Sequence, residues 1–289
     1  MNIIINGLSK SFKKVKALAE VNLTIAPGIH GLLGPNGAGK TTIMRILATI
    51  LDADQGDISW GSSYNWKRPK AIKGKVGYLP QQFGMYKYLR VEEALKNVAL
   101  LKNVPKAKEK EHVGMAMERA NLSEYAKRKA GQLSGGMLRR LGVAQAILAE
   151  PSLLILDEPS AGLDPAERIS FRKLIRDYNN GERIILISSH IVNDIESLCD
   201  KVSIMNLGKI LVTGSIPQIQ DKAKYNVKEE TMSEPAFREI EKNNIVINFT
   251  PAAEGYRVRY LTNEKINGDA AKANLEDSYT FIIQKDKEL

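Results

Sequence analysis

The stretch GPNGAGKTT, from Gly34 to Thr42, places three glycines and one lysine between two apolar segments. The preceding residues IHGLL predict a buried strand, and the following residues TTIMRILATIL predict a helix. Glycine loses more backbone freedom on folding than any other residue, so a glycine-rich connection between core elements needs a reason. We infer that a ligand approaches the backbone at this loop.

The spacing of this loop follows the pattern G-x-x-x-x-G-K-[ST], with Gly34, Gly39, Lys40 and Thr41 at the defining positions. Successive N–H groups of such a loop point into one concavity, and the following helix aims its positive end there, which suits phosphate. We expect Lys40 to reach the β- and γ-phosphates and the Thr41 hydroxyl to bind Mg²⁺. A glycine-rich loop with an accidental lysine is the alternative, and the strand–loop–helix context argues against it.

The composition excludes several classes of protein. A single cysteine, Cys199, rules out an internal disulfide framework, and no apolar run is long enough to predict a membrane-spanning helix. The net charge is +9, and it is uneven: the residues before Lys222 carry 31 Lys+Arg against 21 Asp+Glu, whereas the residues from Lys222 onward carry 11 against 12. Nucleic acid, anionic lipid headgroups and nucleotides are all possible reasons for the basic charge. For its densest cluster, KRPKAIKGK from Lys67 to Lys75, a solvated loop is the simpler interpretation.

Periodicity divides the chain into three regions. NIIINGL and EVNLTIAPG alternate like antiparallel strands, and SLLILDEP and ERIILISSH are short apolar runs typical of a parallel sheet that is covered on both faces. Val91 to Glu150 has helical periodicity. After Ile216 we predict a helix at Pro235–Lys242 and strands at Ile245–Thr250 and Tyr256–Leu261, while NLEDSYTFIIQ could be helix or strand.

Two adjacent acids, Asp157 and Glu158, end the apolar strand LLIL. We expect Asp157 to lie near the Mg²⁺ beside Thr41, and Glu158 to orient and polarise a water for attack on the γ-phosphate. The two acids could instead cap the following loop, but the upstream phosphate loop makes that reading the weaker one.

A second anion site is predicted at QLSGGMLRR, where Ser134, Gly135 and Gly136 precede a helix. A serine helix cap explains Ser134 but leaves the glycine pair unexplained. One chain thus has one phosphate loop and a second phosphate-binding turn. We predict that the two serve different nucleotides, shared between two chains.

The motifs GPNGAGKTT, LSGGM, LLILDEP, AGLD and SSH, in this order, resemble the ATPase subunit of ABC transporters over about residues 1–215. The resemblance implies an α/β P-loop NTPase with a RecA-like core, an antiparallel β subdomain and a helical subdomain at about 91–150. A small C-terminal α+β accessory domain at 216–289 would follow. The end of that extension, LEDSYTFII, resembles ATPases paired with ABC-2 type exporters.

The resemblance assigns a role to each motif residue. Gln81 is the glutamine that touches Mg²⁺ and senses the membrane partner, Glu158 is the catalytic base, and His190 is the switch histidine. Phe12 stands where an aromatic residue stacks on adenine, with phenylalanine in place of the usual tyrosine. Met137 replaces the usual glutamine of the LSGGQ signature. The nucleotide-binding set is Phe12, Gly34, Pro35, Asn36, Gly37, Ala38, Gly39, Lys40, Thr41, Thr42, Ser134, Gly135 and Gly136, and the metal set is Thr41, Gln81 and Asp157.

The expected function is therefore ATP hydrolysis that powers transport, with export favoured over import. The expected cofactors are ATP and Mg²⁺, and the expected partners are a transmembrane permease on a separate chain and a second ATPase subunit, identical or different. The groove for the permease is predicted around QQFGMYKYLRVEEAL, and the protein is expected in the cytoplasm, peripheral on the inner face of the cell membrane. The alternative is a nucleic-acid-associated ATPase of the same family, which rests on the basic cluster; it is disfavoured because no long coiled coil separates the motifs.

Overall fold

The structure of the chain, a computed structural model, describes residues 1–62, 64–66, 69–262, 266 and 270–288. The chain forms two units, Met1–Ile210 and Leu211–Leu289. Lys67 and Arg68, which open the basic cluster, lie outside the described residues. Within the described part of the chain, no helix combines the length and the apolar character needed to cross a membrane.

Most of the strands of the chain belong to the first unit. In chain order the strands are β1 (Ile3–Phe12), β2 (Val15–Ile25), β3 (Gly28–Leu33), β4 (Gln55–Trp60), β5 (Tyr64–Asn65), β6 (Val76–Leu79), β7 (Leu153–Leu156), β8 (Ile184–Ser189), β9 (Lys201–Asn206) and β10 (Lys209–Ser215). The helices are α1 (Lys40–Leu47), α2 (Lys70–Lys73), α3 (Val91–Leu101), α4 (Lys106–Arg119), α5 (Gly135–Ile147), α6 (Pro165–Tyr178) and α7 (Val192–Glu196). The division between the two units falls within β10.

A six-stranded sheet in the order β10-β9-β3-β8-β7-β6 forms the core of this unit. β3 pairs in parallel with β8 and β9, and β7 pairs in parallel with β6 and β8. Every residue of β7 and β8 is buried, as the continuous apolar runs predicted. The parallel sheet matters for function because it brings the ends of β3, β7 and β8 to one edge, where ligands of open α/β sheets bind.

Two further substructures complete the first unit. An antiparallel sheet in the order β2-β1-β4-β5 confirms the alternating segments at the start of the chain; its inward side chains join one core with α1 and the parallel sheet. The predicted helical stretch consists of α3, α4 and α5 with two short 3₁₀ turns. Helix α1 ends at Leu47, earlier than the apolar sequence TTIMRILATIL predicted.

The second unit is a small α+β fold. Its elements are α8 (Ile216–Gln220), β11 (Val227–Met232), α9 (Glu234–Asn243), β12 (Ile245–Ala252), β13 (Gly255–Leu261) and α10 (Leu275–Glu288), and its antiparallel sheet has the order β11-β13-β12. The predicted helix and both predicted strands are present, and the ambiguous LEDSYTFIIQ is helical. Asp277, fully buried at the start of α10, binds the Arg259 guanidinium through both carboxylate oxygens.

His30, on β3, is a buried titratable group directly before the phosphate loop. Its side chain is 2% exposed, and Nε2 lies 2.9 Å from the Ser203 hydroxyl on β9. Burial, together with the nearby positive charge of Lys201, lowers the pKa of His30 from 6.5 to about 4. The folded state therefore keeps a neutral imidazole at pH values where the unfolded chain is already protonated.

This difference predicts a stability that falls with acidification. The free energy of unfolding keeps the His30 contribution above pH 6.5 and loses it as the pH drops towards 4, about 2 kcal/mol between pH 7 and pH 5. Denaturant titrations at several pH values measure it. His30→Gln, which cannot titrate, should flatten the dependence by that amount, and an unchanged slope in this variant would contradict the assignment.

Candidate ATP-binding site

The loop from Gly34 to Thr42 connects β3 to α1, and its glycines have specific backbone reasons. Gly37 and Gly39 adopt φ values of 81° and 105°, which side chains with a Cβ rarely take. A Cβ on Gly34 would lie 2.2 Å from the Met205 carbonyl oxygen, a backbone atom that cannot step aside. The loop therefore needs glycine both for its turn and for its close packing on β9.

A cavity of about 520 Å³ opens beside this loop. It is lined by Val15, Lys16, Ala17, Asn36, Gly37, Ala38, Gly39, Lys40, Thr41, Thr42, Gln81, Glu158 and Leu207. The fold thus brings together most of the predicted phosphate loop, the predicted glutamine and one of the two acids. Phe12 and the Ser134–Gly136 turn are not among the lining residues; Phe12 ends β1 with 46% of its surface exposed.

Lys40 and Glu158 form a buried ion pair at the cavity wall. Lys40 Nζ lies 3.5 Å from Glu158 Oε1, and it donates to the carbonyl oxygens of Gly34 and Pro35 at 2.6 and 3.1 Å. Burial lowers the pKa of Lys40, and the charge of Glu158 opposes that fall. The ammonium group is thus held inside its own loop by oxygen acceptors, the same type of partner that a phosphate would offer.

His190 contacts the other oxygen of the same carboxylate. Its Nδ1 lies 2.8 Å from Glu158 Oε2, and the histidine ring is 46% exposed whereas the Glu158 side chain is 5% exposed. The end of β8 delivers His190 to the sheet edge at which β7 delivers Glu158. Glu158 therefore sits between a lysine and a histidine, with its two oxygens held separately.

Asp157 is fully buried, and within the described residues only one of its two carboxylate oxygens has a hydrogen-bond partner. Its Oδ1 accepts a hydrogen bond from the Ser188 hydroxyl at 2.7 Å, and within the described residues its buried Oδ2 has no hydrogen-bond partner. Buried carboxylate oxygens are nearly always paired, so Oδ2 is an acceptor that is available to a ligand. A carboxylate oxygen is a hard donor of the kind that Mg²⁺ prefers. No cluster of three or more Asp, Glu, His or Cys side chains that could hold a metal ion occurs among the described residues.

Two residues near the acids were given no role in the sequence analysis. Ser188 donates to Asp157 and also accepts the Glu158 backbone N–H at 2.8 Å. Arg139, 8% exposed on α5, binds backbone carbonyl oxygens on both sides of the site. Ser188 lies within the SSH motif, so its place at the strand end was visible; the partners of Arg139 are backbone atoms, which a motif does not reveal.

The turn at Ser134–Gly136 has the geometry of a helix start. The Ser134 hydroxyl accepts the Met137 N–H at 3.1 Å and caps α5. A Cβ on Gly136 would collide with the Glu167 carboxylate, whereas a Cβ on Gly135 would meet no described atom within 4 Å. The Ser134 hydroxyl therefore caps α5, as the alternative interpretation predicted, and contacts with the described residues do not account for Gly135.

The sequence comparisons assign the chain to a family. Residues 18–161 match the family described as ABC transporter. The uncharacterized ABC transporter ATP-binding protein YhaQ of Bacillus subtilis is 33% identical over 268 residues, which are 92% of this chain and 88% of that protein. The chain belongs to the family of ABC transporter ATP-binding proteins. It is accordingly an ATPase that powers transport.

Other relatives of this ABC ATPase include two with named systems. The lipopolysaccharide export system ATP-binding protein LptB of Haemophilus influenzae is 35% identical, over 74% of this chain and 91% of LptB. The daunorubicin resistance ATP-binding protein DrrA3 of Streptomyces coeruleorubidus is 31% identical, over 75% of this chain and 69% of DrrA3.

Solved structures share the fold of the ABC ATPase. The ATP-binding subunit of an ABC transporter superposes with a TM-score of 0.69 at 25% identity, over 76% of this chain and 92% of that one. The dimeric bacterial ABC transporter cassette MJ0796 superposes with a TM-score of 0.66 at 21% identity, over 74% of this chain and 98% of that cassette.

Replacing Lys40 tests the phosphate site. Lys40→Ala removes the buried ammonium group, and we expect ATP turnover to fall by at least about 100-fold, because the β- and γ-phosphates lose their charged partner. Lys16→Ala is the matched control: Lys16 lines the same cavity, but its side chain is 55% exposed, and turnover should stay within about threefold. Phosphate release by the purified proteins measures both. Equal losses in the two variants would contradict the special role of Lys40.

Proposed function

We propose that this chain is the ATPase subunit of an ABC-2 type exporter and works with a membrane permease on a separate chain. The observation that carries the ATPase role is the contact of Glu158 with both Lys40 and His190, in which Lys40 and Glu158 are buried and His190 is 46% exposed, beside a cavity of about 520 Å³ at the carboxyl edge of the parallel sheet. Export is supported by the relatives LptB and DrrA3, whose names refer to lipopolysaccharide export and to drug resistance. We further propose residues 1–215 as the nucleotide-binding domain and 216–289 as an accessory domain.

In the proposed reaction the chain's own groups bind, orient and accept a proton. The loop N–H groups and Lys40 would bind the phosphates of ATP, with Lys40 exchanging the Gly34 and Pro35 carbonyls for phosphate oxygens. Glu158 would accept a proton from the attacking water, and His190 would hold the carboxylate in line. We also propose that Phe12 stacks on the adenine.

We propose that Mg²⁺ binds at Asp157 Oδ2, the Thr41 hydroxyl and the Gln81 side chain. The unpaired Oδ2 supports this set, and Thr41 and Gln81 both line the cavity. When bound, the ion would neutralise charge on the phosphates. Ser188 fixes the Asp157 carboxylate through Oδ1 and leaves Oδ2 available.

The Ser134–Gly136 turn is proposed to bind the ATP of a second chain. The turn does not line its own chain's cavity, and Gly135 has open space where a Cβ would stand. The helix α5 that starts there offers free N–H groups to an anion. The likeness in fold to MJ0796, a cassette solved as a dimer, is compatible with this arrangement.

A base-deficient variant tests this mechanism. Glu158→Gln keeps the size of the side chain but removes its basicity, so hydrolysis should fall by about 10²–10⁴-fold. ATP should still bind, because Lys40 and the loop are unchanged. The variant should accumulate as an ATP-bound dimer in size-exclusion chromatography with ATP and Mg²⁺, and the Glu158→Gln, Gly135→Asp double variant should remain monomeric.

The double variant is a sharp control because Gly135→Asp is compatible with its own chain. The position is open, and an acidic residue is favourable in the first turn of a helix. Its carboxylate would repel only a phosphate brought by another chain. Dimers of the double variant would count against sharing of the site, and normal hydrolysis by Glu158→Gln would count against the catalytic role of Glu158.

An exposed apolar surface near Gln81 is proposed to receive the permease, which would place the protein on the cytoplasmic face of the membrane. Tyr86 and Tyr88 are each 68% exposed, and their ring centroids lie 5.8 Å apart. Leu100 and Leu101, at the end of α3, are 71% and 81% exposed. Large apolar side chains exposed close together in the chain are typical of contact sites for another protein.

The tyrosine pair provides a test that separates transport from hydrolysis. Tyr86→Ser with Tyr88→Ser should leave the ATPase activity of the isolated chain within about twofold, because the pair lies outside the residues that line the cavity. Co-purification with the permease and substrate uptake into inverted vesicles should drop at least tenfold. Unchanged co-purification would contradict the proposed surface.

A further inference from the structure

The guanidinium of Arg139 occupies a position that the proposed reaction does not yet use. Arg139 lies on α5, the helix that starts with the Ser134–Gly136 turn, and only 8% of its surface is exposed. A buried cation is costly unless its hydrogen-bonding capacity is filled. The hydrogen-bond partners of this guanidinium therefore determine whether its burial is tolerated.

All five N–H groups of this guanidinium are paired with backbone carbonyl oxygens. Nε donates to Pro159 at 3.0 Å, and one terminal nitrogen donates to Asp157 and Glu158 at 2.8 and 2.7 Å. The other terminal nitrogen donates to Pro80 and Gln81 at 3.0 and 2.9 Å. Arginine has five donors in a rigid planar fork, so its capacity is used in full.

Three of these acceptors are successive carbonyls of the segment that carries both acids. Glu158 has a φ of 47°, a left-handed conformation that is strained for a residue with a Cβ. Such a conformation persists only where the surroundings determine it. Its carbonyl is held by Arg139 and its N–H by the Ser188 hydroxyl at 2.8 Å. The direction of the Glu158 side chain follows from these two tethers.

We propose that Arg139 is a positioning residue for ATP hydrolysis, which fixes the backbone of Asp157–Pro159 and Pro80–Gln81 and thereby aims Glu158 and Gln81 at the bound nucleotide. The inference rests on the proposed roles of those two residues. It also connects the two halves of the shared site: Arg139 stands one turn after Gly136 on α5, so a movement of the signature turn moves the group that holds the catalytic carboxylate.

The charges around Arg139 agree with this role. Burial lowers the pKa of the guanidinium, and the negative charges of Asp157 and Glu158 oppose that fall. The two acids and Arg139 therefore stabilise one another through the carbonyl groups between them, since each of the five acceptors of the guanidinium is a backbone carbonyl oxygen.

The test replaces the planar guanidinium of Arg139 with the ammonium group of a lysine. Arg139→Lys keeps the positive charge, but an ammonium group has three donors and cannot hold five carbonyls. We expect kcat to fall about 30- to 100-fold, as for a misplaced catalytic group, while KM and the affinity for a fluorescent ATP analogue change less than about threefold. Arg183→Lys is the matched control, since Arg183 is 18% exposed, donates to a backbone carbonyl and lies before β8, at the sheet edge away from the site.

A double-variant cycle separates positioning from a merely structural effect. In the Glu158→Gln background there is no base left to aim, so adding Arg139→Lys should change the residual single-turnover rate by less than about threefold. An equal fall of the rate in both backgrounds would overturn the proposal. So would parent-like kcat in Arg139→Lys, or loss of the folded state by circular dichroism in both Arg139→Lys and Arg139→Gln.

Failure of this inference is distinguishable from failure of the proposed function. If the parent hydrolyses ATP, Lys40→Ala and Glu158→Gln abolish hydrolysis, and Arg139→Lys matches the parent, then only the role of Arg139 is wrong. If the parent shows no hydrolysis that depends on Lys40, the proposed function itself is wrong.

Discussion

Lys40 and Glu158 meet at 3.5 Å in a place where only 6% and 5% of their side chains are exposed. Two charges removed from water in this way stabilise a protein only if their remaining hydrogen-bonding capacity is met. Here the Gly34 and Pro35 carbonyls meet it for Lys40, and His190 meets it for Glu158. These partners are weaker than phosphate, so the pair is an arrangement that a nucleotide can enter by exchanging acceptors around Lys40. The same burial that makes the pair costly would strengthen its action on a bound phosphate.

The proposed catalytic base, Glu158, also needs a fixed backbone, so that its carboxylate keeps one direction in the site. Glu158 is held through its backbone by Ser188 and Arg139, at a left-handed φ of 47° that few residues adopt without support. Ser188 at the same time holds Asp157 through one oxygen and leaves the other unpaired. One serine and one arginine thus set the direction of two acids, and neither of them needs to touch the nucleotide.

The sequence predicted which segments meet at the candidate site, because each segment has a local signal. The glycine spacing of Gly34–Thr42 marks a loop of unusual conformation, and the apolar runs before Asp157 and His190 predict parallel strands that end at one edge. The role of Arg139 has no such signal, because its five hydrogen-bond acceptors are backbone carbonyls from two distant segments. Its helical spacing from Gly136 predicts that the Arg139 side chain is buried, but it does not predict which groups the side chain binds. Strand β11 was missed for a related reason: of its residues only Val227 is buried, so no apolar alternation marks it.

The two glycines of the signature turn, Gly135 and Gly136, differ in their surroundings. A Cβ on Gly136 would overlap the Glu167 carboxylate, the flexible end of a side chain that accepts the Asp164 backbone N–H at 3.3 Å, so this carboxylate would have to move. A Cβ on Gly135 would meet no described atom within 4 Å. The open position at Gly135, at a helix start whose first N–H groups have no partner within the helix, agrees with the proposal that a ligand binds there. Because this turn does not line the cavity of its own chain, we infer that the ligand is bound to another chain. Arg139 lies on the helix that begins at this turn, so binding of that ligand would act on the helix that carries Arg139.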